Sequence, residues 1–204
     1  MERGHILITG TGRAGTTLLV RIFTRLGLDT GFTQEDIAEI EKREGKAGLE
    51  KNLKFAKKRK LPEIIKSPHA TDNLRDCLEE SWCKIDHCII PIRELAIAAR
   101  SRDLVQKRSN ARPEESVPGG FWKATSLEGQ EAVLARQLFN VIYPLAAYEI
   151  PTTFLAFPKF AKDPQHFMNA LGPLLKQRFG KSEAEIMEAY RKEVRPDFIT
   201  AERS

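Results

Sequence analysis

Four short apolar runs punctuate the chain: His5 to Thr9, Glu63 to Lys66, His87 to Ile92 and Thr152 to Phe157. Each is too short for a stable helix, and a continuous apolar run bounded by polar residues suits a strand buried on both faces. Between the runs the apolar residues recur at helical spacing. Leu18, Leu19, Ile22, Phe23 and Leu26 form one such stripe, with Arg21 and Arg25 expected to point away from it and Gly27 to stop the helix. The segment Glu35 to Lys60 is charged and broken by Gly45 and Gly48, which predicts two helices or a helix and a loop. Helices are further expected over Thr71 to Trp82, over Glu94 to Arg108 with Leu95, Ala98, Ala99 and Leu104 inward, and over Leu127 to Glu149. Two more, around Asp163 to Gln177 and Ser182 to Val194, close the chain. Strands alternating with helices predict an α/β fold with a mainly parallel β-sheet flanked by helices. The polar stretch Ser109 to Ser126, with Pro113, Pro118, Gly119 and Gly120, reads as a mobile loop.

Composition narrows this picture without changing it. A chain of 204 residues suits one domain spanning 1–204, and 41% apolar with 30% charged residues is the balance of a globular protein, not a disordered one. No apolar run approaches a membrane span and no signal-peptide pattern opens the chain, so a cytoplasmic protein without membrane partners is expected. Cys77, Cys83 and Cys88 lack a C-x-x-C pair, and their odd number suits reduced thiols. The net charge of +5 favours anionic partners of many kinds. Lys57-Lys58-Arg59-Lys60 has no interleaved aromatic residues, so it reads as a solvated helix end and no nucleic-acid partner is expected.

The first run opens into Gly10-Thr11-Gly12-Arg13-Ala14-Gly15-Thr16-Thr17. A glycine-rich turn between strand and helix aims backbone N–H groups and the positive end of the helix dipole at one point, which suits a phosphate. The loop departs from the nucleotide pattern G-x-x-x-x-G-K-[ST]: Thr16 stands where lysine would be, and the cation is Arg13. The third run delivers Arg93 where a P-loop kinase holds magnesium through an aspartate. A guanidinium there repels a metal and attracts a second phosphate. The pattern therefore offers two cationic centres, and no metal is expected.

These residues carry a family resemblance. The stretch GTGRAGTTLL resembles the 5′-phosphosulfate loop of the sulfotransferases, in which R/K-[SA]-G-T-T follows the first strand. IRELAIAARS resembles their 3′-phosphate motif, an arginine at a strand end followed eight positions later by serine, here Arg93 and Ser101. IIKSPHA lies between the two, where many members carry a strand ending in a functional lysine. The motifs anchor the first half of the chain; the second half agrees only in its order of elements and has no R-K-G segment. The resemblance implies a P-loop NTPase-like, three-layer α/β sandwich. It also implies 3′-phosphoadenosine 5′-phosphosulfate (PAPS) as donor co-substrate and 3′-phosphoadenosine 5′-phosphate (PAP) as product. The sulfuryl group would pass to a hydroxyl or amine of a small-molecule or carbohydrate acceptor, without a metal.

By that resemblance, Thr11, Gly12, Arg13, Ala14, Gly15, Thr16 and Thr17 cradle the 5′-phosphate, and Arg13 neutralises it as sulfuryl leaves. Arg93 and Ser101 take the 3′-phosphate, while Lys66 stabilises the transferring group. The acceptor needs a base. His69 is ranked first for that role and Glu35 second, with Asp36 read as a helix N-terminal acid; Thr16 and Thr17 alternatively cap the helix. Phe121 and Trp122 in VPGGFWK are equally a lid or the hydrophobic anchor of a polar loop. Two other functions fit less of the pattern: a P-loop small-molecule or nucleoside kinase using ATP, and a non-catalytic PAP-binding module.

Overall fold

The computed structural model describes residues 3–42, 48–58, 60–115 and 117–194. Gly45 and Arg59, named above, lie outside them. The four apolar runs form the strands β1 (His5–Ile8), β2 (Ile64–Lys66), β3 (Ile85–Ile92) and β4 (Thr152–Ala156) of one sheet. Its order is β2-β1-β3-β4, and every pairing is parallel. The helices are α1 (Thr16–Arg25), α2 (Gln34–Glu41), α3 (Ala70–Glu79), α4 (Leu95–Arg108), α5 (Leu127–Ala147), α6 (Lys159–Lys162), α7 (Pro164–Phe179) and α8 (Glu183–Glu193). Within the charged segment after α2, the turn Leu53–Lys57 is a 3₁₀ helix capped by Asn52.

Parallel strands need both faces covered. Ile6, Ile8, Ile64, Ile89 and Leu155 point to one face, where Leu19, Phe23, Phe160, Phe167 and Leu171 pack over them. Leu7, Ile65, Cys88 and Ile90 point to the other, against Leu74, Cys77, Val141 and Leu145. The result is a three-layer sandwich with a mainly apolar core on each side of the sheet; the parallel sheet flanked by helices is what the alternation of elements predicts. No helix among the described residues is long and apolar enough to cross a membrane.

Two inward–outward assignments differ from expectation. Leu104 is 39% exposed, because the inner side of α4 is narrow and filled by Ala98 and Ala99 against Leu134. Arg21 does not point away: it is buried on α1, where its Nε donates to Glu193 Oε2 at 2.8 Å and its Nη2 to Glu41. Glu193, at 0% exposure, also takes a bond from Arg25 Nε. A helical stripe in the sequence shows which positions are apolar, but not that a later helix brings a carboxylate to an arginine. This network ties α1 to α2 and α8. Breaking a buried ion pair from one side leaves the other charge uncompensated, at a cost of roughly 3–5 kcal/mol. Glu193→Ala should therefore lower the unfolding free energy by about that much in urea titrations, whereas a loss below ~1 kcal/mol would mean that the two arginines find water.

Candidate active site

The chain leaves β1, passes to β2 on one side, and later lays β3 on the other. Such a reversal of strand order opens a crevice at the carboxyl ends of the strands. Ile8 is in register with Lys66 of β2 and Ile89 of β3, so β1 and β2 end level while β3 runs three residues further, and the segments leaving all three emerge at the same edge of the sheet. They line one cleft of about 870 Å³.

The loop after β1 is held open by its backbone. Gly10, Gly12 and Gly15 have φ of 141°, 70° and 85°, and Arg13 itself has φ 55°, a conformation uncommon for a residue with a Cβ. Gly15 serves as the N-cap of α1 and brings no side-chain cap. The first-turn N–H groups, from Thr16 on, consequently have no intrahelical acceptor and point along the helix axis toward the cleft. Thr16 and Thr17 do not cap this helix; Thr17 Oγ1 instead accepts from Lys66 Nζ at 3.0 Å, leaving its own hydrogen for another acceptor. Ala14 is fully buried and contributes backbone only.

Cations converge on this loop from both neighbouring strands. Arg93, buried just beyond β3, donates from Nη1 to the Arg13 carbonyl at 3.0 Å, and its guanidinium lies 5.1 Å from the Phe157 ring centroid. Arg13 Nε donates to Ser101 Oγ at 3.2 Å, which joins the two predicted phosphate motifs directly. Lys66 is 3% exposed; besides Thr17 it reaches the Gly48 carbonyl and Glu50 Oε1, the latter at 3.2 Å. Burial holds its amine below the usual lysine range, and Glu50 partly opposes that. Arg13 is likewise lowered by burial and by the nearby Arg108.

Arg102, which directly follows Ser101, also lines the cleft, and no motif singles it out. Its Nη2 donates to the Thr11 carbonyl at 2.8 Å and its Nη1 to the Gly120 carbonyl at 2.7 Å, clamping the loop to the 109–126 segment. Burial, then repulsion from Arg13, pushes its pKa down to about 10. Arg108, seven positions beyond Ser101 and hence on the same side of α4, also lines the cleft. Like charges packed at this density favour an anion between them, because a bound phosphate relieves the repulsion that the fold has accumulated.

Residues 109–115 and 117–126 are irregular, as expected, but two buried glutamines fasten them. Gln106 Nε2 donates to the Glu115 carbonyl at 3.0 Å while its Oε1 accepts from Phe121 N at 3.1 Å, and Gln130 Oε1 accepts from Trp122 N at 2.7 Å. Phe121 is buried as an anchor. Trp122 and the stretch before it form one wall of the cleft, and Lys123 pairs with Asp72 of α3 at 3.2 Å.

Of the base candidates, His69 is exposed at the N-terminus of α3 and lines the cleft. Glu35 does not line it. That residue is in the exposed first turn of α2, beside the Thr33–Asp36 capping box that accounts for Asp36. The carboxylate beside Lys66 is Glu50, which a count of positions along the chain does not reveal because its placement follows from an irregular connection. The described residues contain no cluster of three or more His, Cys, Asp or Glu able to hold a metal. The sequence matches no protein-family model and no curated protein.

The closeness of the loop to its support gives a direct check. A Cβ added at Gly15 would stand 2.7 Å from Phe160 and 2.8 Å from Phe157, on a backbone with φ 85°. Strain and overpacking each cost roughly 1–3 kcal/mol. Gly15→Ala is expected to lower stability by about 2–4 kcal/mol in chemical denaturation, and an unchanged midpoint would mean that the loop has an alternative conformation of equal energy.

Proposed function

We propose that the protein is a PAPS-dependent sulfotransferase that passes the sulfuryl group to a hydroxyl or amine of a small-molecule or carbohydrate acceptor. The observation that carries this reading is the contact between the two phosphate motifs. Arg13 of the loop bonds Ser101, and Arg93 supports the loop from the end of β3, where a nucleotide kinase would have a carboxylate. A bis-phosphorylated adenosine carries two anionic groups, and this arrangement offers two adjoining cationic centres for them.

In the proposed reaction the acceptor atom attacks sulfur, and the bond from sulfur to the bridging 5′-phosphate oxygen breaks. PAP leaves with the electron pair of that bond, and the acceptor's proton passes to His69. Arg13 and the N–H groups at the start of α1 stabilise charge accumulating on the leaving phosphate. Lys66 bonds Thr17 in the same loop and so lies on the path along which charge develops. A cytoplasmic setting belongs to this reading, and the three free thiols are compatible with a reducing compartment.

Calorimetry with PAP and with 5′-AMP in the presence of a chelator tests the donor assignment. PAP should bind at least tenfold more tightly than 5′-AMP, since a charge-assisted contact contributes about 1.5–3 kcal/mol. Arg93→Ala should abolish most of that preference, even though it also weakens 5′-AMP by removing a support of the loop. Stabilisation by magnesium-ATP and none by PAP would identify a kinase instead; PAP binding without any turnover of labelled PAPS across an acceptor screen would identify a binding module.

Once an acceptor is found, the two catalytic assignments separate. Lys66→Ala should lower turnover with little change in PAP affinity, as expected for an interaction strengthened in the transition state. His69→Ala should remove the acid limb of the pH–rate profile. Retention of rate and profile in that variant, together with an inactive but folded Glu50→Gln, would move the base to Glu50.

A further inference from the structure

The last turn of α3 and the start of β3 bring two of the three cysteines together. Helix α3 ends in a tight reversal: Trp82 N donates to the Cys77 carbonyl at 2.9 Å and Ser81 N to the Leu78 carbonyl at 3.3 Å, with Ser81 in the left-handed region at φ 51°. This six-to-one closure is the backbone geometry that folds a chain back over its own helix end. It sets Cys83 beside Cys77, with the two sulfurs 3.6 Å apart. Neither thiol belongs to the cleft. Cys77 is fully buried under the sheet, whereas Cys83 is partly exposed at the rim of the turn. Cys88 lies elsewhere, in the middle of β3, where it is fully buried and out of reach of a soluble disulfide.

We propose that Cys77 and Cys83 form a dithiol–disulfide redox site whose oxidant is a low-molecular-weight disulfide. The exposure of the two sulfurs assigns their parts. Cys83, the sulfur that solvent reaches, loses its proton as it attacks one sulfur of the small disulfide, forming a mixed disulfide and releasing one thiolate; its hydrogen bond with Cys77 and its burial push its pKa up, so this step is slow. Cys77 then gives up its proton and displaces the second small thiol, closing the Cys77–Cys83 bond. Two protein thiols are oxidised and one small disulfide is reduced to two thiols, so atoms and electrons balance. The sulfurs start close enough that the bond requires only a small approach, because the reversal has already closed the loop. The bond would pin the end of α3, whose first turn carries the cleft residues Thr71 and Asp72. A transient, sensing disulfide of this kind is compatible with a reducing compartment.

Incubation of the full chain with excess oxidised glutathione tests the proposal. Thiols counted in denaturant should fall from three to one, and dithiothreitol should restore them. Both cysteines lie in the tryptic peptide Asp76–Lys84; further cleavage after Glu79 or Glu80 should leave two pieces joined only in the oxidised sample. Cys77→Ser should instead accumulate glutathione on Cys83, and Cys83→Ser should keep its two remaining thiols. Should either variant fail to fold, the wild-type time course carries the same information through a mixed disulfide on Cys83 that rises and then decays. The oxidised protein should melt roughly 5 °C higher, since the cross-link restricts the unfolded chain. Three surviving thiols, a link through Cys88, stable glutathione on wild-type Cys83, or a lowered melting midpoint would each overturn the assignment.

Discussion

The pairing of β1 with a parallel strand on each side constrains everything built at its carboxyl end. With β2 and β3 both hydrogen-bonded to it and helices on both faces, β1 has no exposed edge or surface. The chain leaving Ile8 turns sharply at Gly10, and the turn opens where the segments after Lys66 and Ile92 also emerge. Lys66 and Arg93 thus reach the loop from opposite sides without any long connection to position them. Moving either strand by one register would turn its side chains to the other face and separate the cations.

The cost of that convergence is visible in the ionisation of its members. Arg13, Arg102 and Lys66 are all lowered chiefly by burial, and Arg13 and Arg102 are mutually repulsive. The structure keeps them together with backbone carbonyls. Those of Arg13, Thr11, Gly120 and Gly48 each accept from a cation at the site. Carbonyl acceptors orient a cation without adding a charge of their own, while Glu50 supplies Lys66 with a carboxylate as well. Between α1, α2 and α8 two carboxylates, Glu193 and Glu41, pair with Arg21 and Arg25, which suits a structural role.

The 109–126 segment shows how an irregular stretch becomes a wall. Its prolines and glycines forbid a helix, and nothing in its composition suggests order. Order comes from Gln106 and Gln130, which project from regular helices and satisfy the segment's backbone groups. The same helix, α4, therefore carries Ser101 and Arg102 toward the glycine-rich loop and Gln106 toward the wall.

Local periodicity was enough to locate four strands and most helices, because burial on both faces leaves continuous apolar runs and amphipathic helices leave a repeating stripe. The glycine-rich loop and Arg93 stand out for a related reason, since each lies where a strand ends and the chain direction is already known, whereas Lys66 and Ser101 were singled out by the family resemblance. Tertiary structure decided the remainder. Whether Arg21 faced water depended on Glu193, far along the chain; which carboxylate reached Lys66 depended on the path of an irregular connection; and the place of Arg102 depended on two carbonyls from distant loops. Side-chain partners of this kind have no periodic signature, since the distance that matters is measured through the fold and not along the sequence.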